Sequence, residues 1–150
     1  MVATGCLLLA GCGQPSGEQA PDGQAYESGH NTHDVMTWVL DPAADHVWAS
    51  AGQIITEAET VDLAPTTDEG WVAVRHSAAV VAEAGNLLML PAHARDQEDW
   101  VEISRGLYQA GVLAEQAADA QDADALFEAG GIIYNVCVAC HQLYAADLRI

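Results

Sequence analysis

The chain has 150 residues, 51% apolar and 6% aromatic, and its 22 acidic residues against four arginines and no lysine give a formal net charge of −18. A surface of this sign repels phosphate backbones and anionic lipid headgroups, so the composition argues against a nucleic-acid partner and favours docking to a basic surface. No apolar run reaches the roughly 18 to 20 residues of a membrane-spanning helix, which excludes a transporter or a channel.

The amino terminus carries the pattern of an exported lipoprotein. A short apolar run leads into Leu9-Ala10-Gly11-Cys12. This tetrapeptide resembles the bacterial lipobox, whose cysteine is lipidated and becomes the first mature residue. The run is shorter than a full signal peptide and lacks a basic start, which a start codon assigned too far downstream explains. We therefore interpret residues 1–11 as a lipoprotein signal remnant and Cys12 as the lipidation site of a periplasmic protein; the alternative is a plain apolar terminus.

Residues 12–33 are predicted to form a flexible tether. They are rich in glycine, glutamine, serine, proline and acidic side chains and contain almost nothing to bury. His30 and His33 stand near the end of this stretch. They are potential metal ligands, although two histidines without further ligands are more often ordinary polar residues. The folded domain is predicted to span residues 34–150, and the protein to contact a membrane only through its lipid anchor.

The first predicted helical segment covers residues 34–57. Its apolar residues recur at three- and four-residue steps, which places them on one face. Pro42 follows Asp41, an order that suits a helix start with Asp41 as the N-cap, so the segment is expected to kink there or to divide into two pieces. The apolar face consists of Met36, Leu40, Ala43 or Ala44, Val47, Ala51 and Ile54.

Three longer amphipathic helices are predicted to follow. The second helix begins at the capping pattern of residues 66–69 and ends before Pro91, the third is capped by Asp96, and the fourth follows the acidic connection 120–124. Four helices with short loops and no alternating strand pattern predict an all-α fold, an antiparallel four-helix bundle. Small residues on the stripes allow neighbouring helix axes to approach closely. The stripes are Trp71, Val74, Ala78, Val81, Gly85 and Leu88; Trp100, Ile103, Leu107, Ala110 or Gly111, Ala114 and Ala117; and Leu126, Gly130, Ile133, Cys137, Cys140 and Tyr144.

The string Cys137-Val138-Ala139-Cys140-His141 carries the chemistry. A haem has two vinyl groups that each add a thiol and an iron that takes a nitrogen ligand, and this spacing puts all three side chains on one helical face. A thioredoxin-like redox pair needs its cysteines at a helix start, and a structural zinc site needs four ligands, so both alternatives fit less well. We therefore predict one covalently attached haem c near the carboxy terminus.

This motif lies only nine residues from the end of a four-helix chain, and the predicted domain thereby resembles the class II c-type cytochromes, the cytochrome c-prime family. The resemblance implies a left-handed bundle in which Cys137 and Cys140 form the thioethers and His141 is the proximal iron ligand. Tyr144 matches the aromatic position that follows the family's motif, whereas Ala145 stands where the family often has a basic residue. Paired bundles are frequent in the family, so the resemblance also implies that a homodimer is possible.

The sixth iron ligand separates two functions. In the family, a first-helix residue faces the distal side of the haem. A bulky apolar residue there leaves a site open to gases, whereas a methionine makes a six-coordinate, low-spin electron carrier. Met36 lies about where such a residue belongs, and a thioether raises the reduction potential, although a methionine on a helix stripe is otherwise core filler. The other candidates are Met89, His46, His76 and His93.

The sequence thus predicts a one-electron carrier, not an enzyme, whose donor and acceptor proteins present basic docking surfaces. The first alternative is a five-coordinate, cytochrome c-prime-like protein that binds or senses NO or CO. The second is a haem peroxidase, which needs a distal acid–base group that the sequence does not identify. Each arginine is a candidate partner of a haem propionate or, more commonly, of a surface carboxylate. These arginines are Arg75, Arg95, Arg105 and Arg149.

Overall fold

The computed structural model of the protein describes residues 29–145. The signal remnant, the lipidation site Cys12, most of the tether and Arg149 lie outside the described residues. The elements in chain order are helix α1 (Thr32–Val35), a π-helical segment (Met36–Leu40), helix α2 (Asp41–Ala49), strands β1 (Gln53–Ile55) and β2 (Thr60–Asp62), and helices α3 (Asp68–Leu88), α4 (Asp99–Ala120) and α5 (Ala123–Tyr144).

Four helices pack against one another around a single core. Helix α3 packs along α4, α4 packs along α5, and α2 contacts both α3 and α5. Every residue of the stripe predicted for α3 is buried, which confirms the helical spacing there. In the described part of the chain, α5 is the single helix long and apolar enough to cross a membrane, by length and composition only. This differs from the expectation that no apolar run is long enough; 22% of the apolar window is buried, and α5 contributes the fully buried Leu126 and Ile133 to the core.

Helices α3 and α4 approach each other at two glycines. A methyl group added at Gly111 would lie 2.4 Å from the backbone nitrogen of Ala82 on α3. One added at Gly85 would lie 2.6 Å from the backbone nitrogen of Tyr108 on α4. Real Cβ atoms do not come this close to a neighbouring backbone, so both positions require glycine. The small residues of the stripes therefore set the distance between these two helices, as the sequence predicts.

Substituting Gly111→Ala is expected to lower the free energy of unfolding by about 1–3 kcal/mol, because the added methyl forces α3 and α4 apart. The matched control is Gly131→Ala on α5, where an added methyl meets nothing within 4 Å. Alanine is the better helix former, so this control is expected to raise the free energy of unfolding by up to about 1 kcal/mol. Urea unfolding followed by circular dichroism measures both. Stabilisation of both variants would contradict the close approach.

The chain after α2 is not helical, so the helix predicted over 34–57 is wrong at its carboxy-terminal end. Helix α2 ends at Ala49, and strands β1 and β2 form an antiparallel hairpin in which Ile54 pairs with Val61. Gly52, with φ of +82°, turns the chain out of the helix, and the β-branched residues that follow favour an extended backbone. Ile54 is consequently 52% exposed and outside the core. The hairpin is the exception to the predicted all-α fold.

The helical stretch before α2 also differs from its prediction. Helix α1 begins at Thr32, two residues before the predicted domain start. Asp41 is not an N-cap: its backbone is helical, and its N–H donates to the carbonyl of Met36, five residues back. Pro42 does lie in the first turn of α2, as predicted, but the chain before it is already helical, so the helical stretch continues through it. In an α-helix the ring of Pro42 would clash with the carbonyl of Trp38, and the widened turn before Pro42 accommodates both this ring and the missing N–H.

Candidate functional site

A cavity of about 220 Å³ opens between the π-helical segment, α2, α4 and α5, at the end of the bundle where α5 finishes. Cys137 and Cys140 line it, are half-buried, and are free thiols rather than a disulfide. His141 lines it as well and is exposed to solvent. The spacing of three and four residues on a helix directs these three side chains to one side of α5. Much of the remaining wall is apolar and includes Leu40, Ala44, Leu88, Ile103, Leu107 and Val136.

A second cavity, of about 180 Å³, adjoins the first. The two cavities share three lining residues, Met36, Cys140 and His141. Met36 comes from the π segment and the other two from α5, so two distant parts of the sequence meet at one space. The second cavity continues past Arg95 and Tyr144. The predicted sixth-ligand candidate and the histidine of the motif therefore border the same two cavities.

The environment of the two thiols opposes the thioredoxin-like alternative. Burial raises the pKa of the Cys137 thiol, and the neighbouring Cys140 raises it further. Burial also raises the pKa of Cys140. Reactive cysteine pairs show the opposite shift, a lowered pKa that creates a thiolate near neutral pH. These two thiols remain protonated at neutral pH.

Tyr144 fastens the last turn of α5 to the start of α4. Its hydroxyl donates a hydrogen bond to Asp96, with 2.5 Å between the oxygens, and its ring meets that of Trp100 edge-on, with centroids 4.9 Å apart. The other carboxylate oxygen of Asp96 accepts the backbone N–H of Trp100 at 2.9 Å, although the N-cap of α4 is Glu98 and not Asp96 as predicted. The guanidinium of Arg95 lies 6.0 Å from the Trp100 ring centroid. These contacts hold the helical turn that carries His141.

The Tyr144–Asp96 hydrogen bond makes stability depend on alkaline pH. It is the largest cause of the rise in the pKa of Tyr144 from 10.0 to about 12, to which burial and the nearby negative charges also contribute. A tyrosine whose pKa is raised on folding stabilises the fold fully below pH 10, and that contribution is lost as the pH rises through 12. We expect Tyr144→Phe to flatten the fall of the urea midpoint between pH 10 and pH 12.

The companion variant is Asp96→Asn, alone and combined with Tyr144→Phe. Removing either partner abolishes the same interaction, so the double variant is expected to show no pH dependence beyond that of Tyr144→Phe. The measurement is the urea midpoint at several pH values across the window. A wild-type protein and a Tyr144→Phe variant that lose stability in parallel between pH 10 and pH 12 would contradict this hydrogen bond.

The other candidates for a sixth ligand do not line either cavity, although the Nδ1 atom of His93 lies 3.5 Å from the hydroxyl of Thr32, which lines the second. Met89 and His93 belong to the turn after α3, where His93 is buried. The Nδ1 atom of His46 lies 2.8 Å from the hydroxyl oxygen of Ser77, on the outside of the bundle. His76 is exposed on α3. None of these four candidates lines either cavity.

The structure also describes the two histidines near the end of the predicted tether. His33 lines the rim of the second cavity, with its side chain 76% exposed. The ring of His30 meets that of Trp38 edge-on, with centroids 5.4 Å apart. Within residues 29–145, no three histidine, cysteine, aspartate or glutamate side chains are grouped so as to hold a metal ion.

The arginines divide between the surface and the cavities. Arg75 pairs with Asp119 at 2.8 Å, near the opposite end of the bundle from the motif. Arg105 pairs with Glu102, one turn earlier on the same helix. Both are the surface ion pairs that the sequence analysis names as the commoner outcome. Of the three described arginines, Arg95 is the one that lines a cavity with the motif.

Two features of the site are absent from the sequence analysis. Asp96 is predicted only as a helix cap, and its bond to Tyr144 joins residues 48 positions apart, for which no local pattern exists. Ser104 is 4% exposed and lies in the wall of the first cavity. The spacing of apolar residues in α4 predicts that one side of this helix is covered, but it does not single out Ser104. A buried hydroxyl in an apolar wall is visible only once the helices are assembled.

Comparisons of the chain with protein-family models, with curated proteins and with solved structures found no match.

Proposed function

We propose that this protein is a c-type cytochrome of the bacterial periplasm, anchored by a lipid at Cys12, that carries single electrons through one covalently attached haem. One observation supports the proposal above the others. The cysteines and the histidine of the attachment motif line one largely apolar cavity, and Met36 lines the same space from another helix. In this proposal the bundle is antiparallel, as the resemblance to class II c-type cytochromes implies.

The residues present fit such a group. When bound, haem iron supplies reversible one-electron chemistry. The thiols of Cys137 and Cys140 are the two nucleophiles that thioether attachment needs, and the imidazole of His141 is the iron ligand that follows them. The apolar walls suit a porphyrin face. Arg95, at the second cavity, offers a guanidinium whose geometry matches a propionate carboxylate.

Met36 is the residue that favours a carrier over a gas-binding protein. A thioether ligand stabilises ferrous iron and so raises the reduction potential. As a ligand, Met36 would also exclude a diatomic gas from the iron. Met36 lines both cavities together with His141, so the two side chains border the same space. We therefore assign Met36 as the sixth ligand and electron transfer as the function.

Charge indicates the kind of redox partner. The net charge of −18 attracts a protein with a basic face and repels an acidic one. Asp41, which is exposed and lines the first cavity, places one of these carboxylates beside the motif itself. We propose that the donor and acceptor proteins dock there through basic surfaces.

The ferric and ferrous absorption spectra of the purified holoprotein test this function. We expect low-spin bands, a methionine-to-iron charge-transfer band in the ferric form, and no change when CO is added to the ferrous form. High-spin iron that readily takes up CO or NO would contradict the carrier and assign the gas-binding alternative. Rapid peroxide turnover at an open site would assign the peroxidase.

A further inference from the structure

The helical turn that carries Met36 contains one residue too many for an α-helix. The N–H of Asp41 donates to the carbonyl of Met36, whereas in an α-helix it would donate to that of Thr37. The pattern of burial independently indicates an extra residue in this turn. Val35 and Leu40 are 2% and 6% exposed and both belong to the core, although residues five apart in an α-helix point about 140° apart.

Pro42 supplies a physical cause for the extra residue. It lies inside the continuous helical stretch of residues 32–49, has no N–H to donate, and its ring clashes with the carbonyl four residues back, that of Trp38. A helix that must continue past such a residue needs a local departure from α geometry. A single π turn is such a departure, and π turns are frequent at functional sites.

The extra residue decides which side chain reaches the site. Counting one α-helical turn back from Asp41 gives Thr37, but the widened turn puts Met36 in that place. Met36 lines both cavities with His141. Thr37 lines only the first cavity, and its hydroxyl is already engaged, donating to the carbonyl of His33 at 3.0 Å.

We infer that Pro42 is a positioning residue: by widening the turn before it, Pro42 presents the thioether of Met36, and not the hydroxyl of Thr37, to the space shared with His141. This inference rests on the proposed function, because it concerns the residue assigned there as the sixth iron ligand. It adds a second requirement for ligation, the π turn, to the presence of the methionine itself.

The test begins with the Pro42→Ala holoprotein. Alanine restores the N–H and removes the ring, so the turn is expected to become α-helical and to place Thr37 at the site. The methionine-to-iron band is then lost, the iron becomes high-spin, and the ferrous form binds CO. In a crystal structure of the variant, the N–H of Asp41 would donate to the backbone carbonyl of Thr37. The matched control is Pro65→Ala, in the loop before α3, which is expected to keep the wild-type spectrum.

A rescue variant separates positioning from a general loss of structure. In the Pro42→Ala/Thr37→Met double variant, the new methionine occupies the place that Met36 loses, so the methionine-to-iron band is expected to return. Thr37→Met alone, with Pro42 present, is expected to keep the wild-type spectrum. A Pro42→Ala variant that merely loosens the helix would not be rescued by a substitution at residue 37, and that outcome would overturn the inference.

A third variant applies if Pro42→Ala does not fold. Exchanging the two side chains, Met36→Thr with Thr37→Met, keeps Pro42 and is expected to remove the methionine-to-iron band while the helical circular dichroism is retained. A band that survives this exchange, or that survives Pro42→Ala, overturns the inference and leaves the proposed function standing. A wild-type protein without methionine ligation overturns the assignment of Met36 itself, and the inference with it.

Discussion

The Met36→Ala holoprotein is expected to change from low-spin, six-coordinate iron to high-spin iron that binds CO. Met36 lines both cavities with His141, and alanine cannot reach the iron or ligate it. Losing a thioether ligand also lowers the reduction potential. Axial ligands shift haem potentials over about 0.8 V, so we expect a fall on the order of 0.1 V or more. Absorption spectroscopy and a potentiometric titration measure the two effects.

Met89→Ala is the matched control for this prediction. Met89 lies at the end of α3, is partly buried like Met36, and lines neither cavity. We expect its variant to keep the wild-type spectrum and potential. An unchanged spectrum in Met36→Ala would show that Met36 is not an iron ligand. If Met89→Ala instead changed the iron from low-spin to high-spin, Met89 would be assigned as the ligand.

The Cys137→Ala/Cys140→Ala double variant is expected to lose all covalently attached haem. Each thiol supplies one of the two thioether bonds, so each single variant keeps one bond and retains some haem after denaturation. The readout is haem absorbance that stays with the polypeptide on a denaturing gel. Without the bound group, the cavity at the end of α5 is also left unfilled, so we expect the double variant to unfold more readily than the holoprotein.

Val138→Ala is the control within the same turn. Val138 stands between the two cysteines and lines neither cavity, so its variant is expected to keep covalent haem at the wild-type level. Covalent haem in the double cysteine variant would show that the group is attached elsewhere, and loss of haem in Val138→Ala would show that the assay reports folding rather than attachment.

The core of the bundle could be predicted because its signal is local. In α3, apolar and small residues recur at helical steps over 21 residues, and all six predicted stripe residues are buried. The hairpin could not be predicted in this way, since Ile54 continues the spacing of the preceding helix by coincidence. Gly52, whose positive φ redirects the chain after that helix, has nothing in its immediate sequence that distinguishes it from a glycine tolerated inside a helix.

The candidate site likewise has one part that the sequence predicts and another that it does not. The spacing of Cys137, Cys140 and His141 predicts that they share one side of a helix, because that relation is fixed by helical geometry. The contact between Tyr144 and Asp96 depends on how α5 meets α4, which no local pattern encodes. A proline inside a helical pattern likewise predicts only a disturbance, a kink or a break, and the packing of the surrounding residues decides that a widened turn is the result.

The most direct measurement is the mass of the denatured protein, purified from a host that matures c-type cytochromes, together with its visible absorption. The proposal predicts a polypeptide heavier by one haem, in addition to any lipid, that stays coloured after unfolding. A colourless protein whose mass equals that of the polypeptide with lipid alone would contradict it.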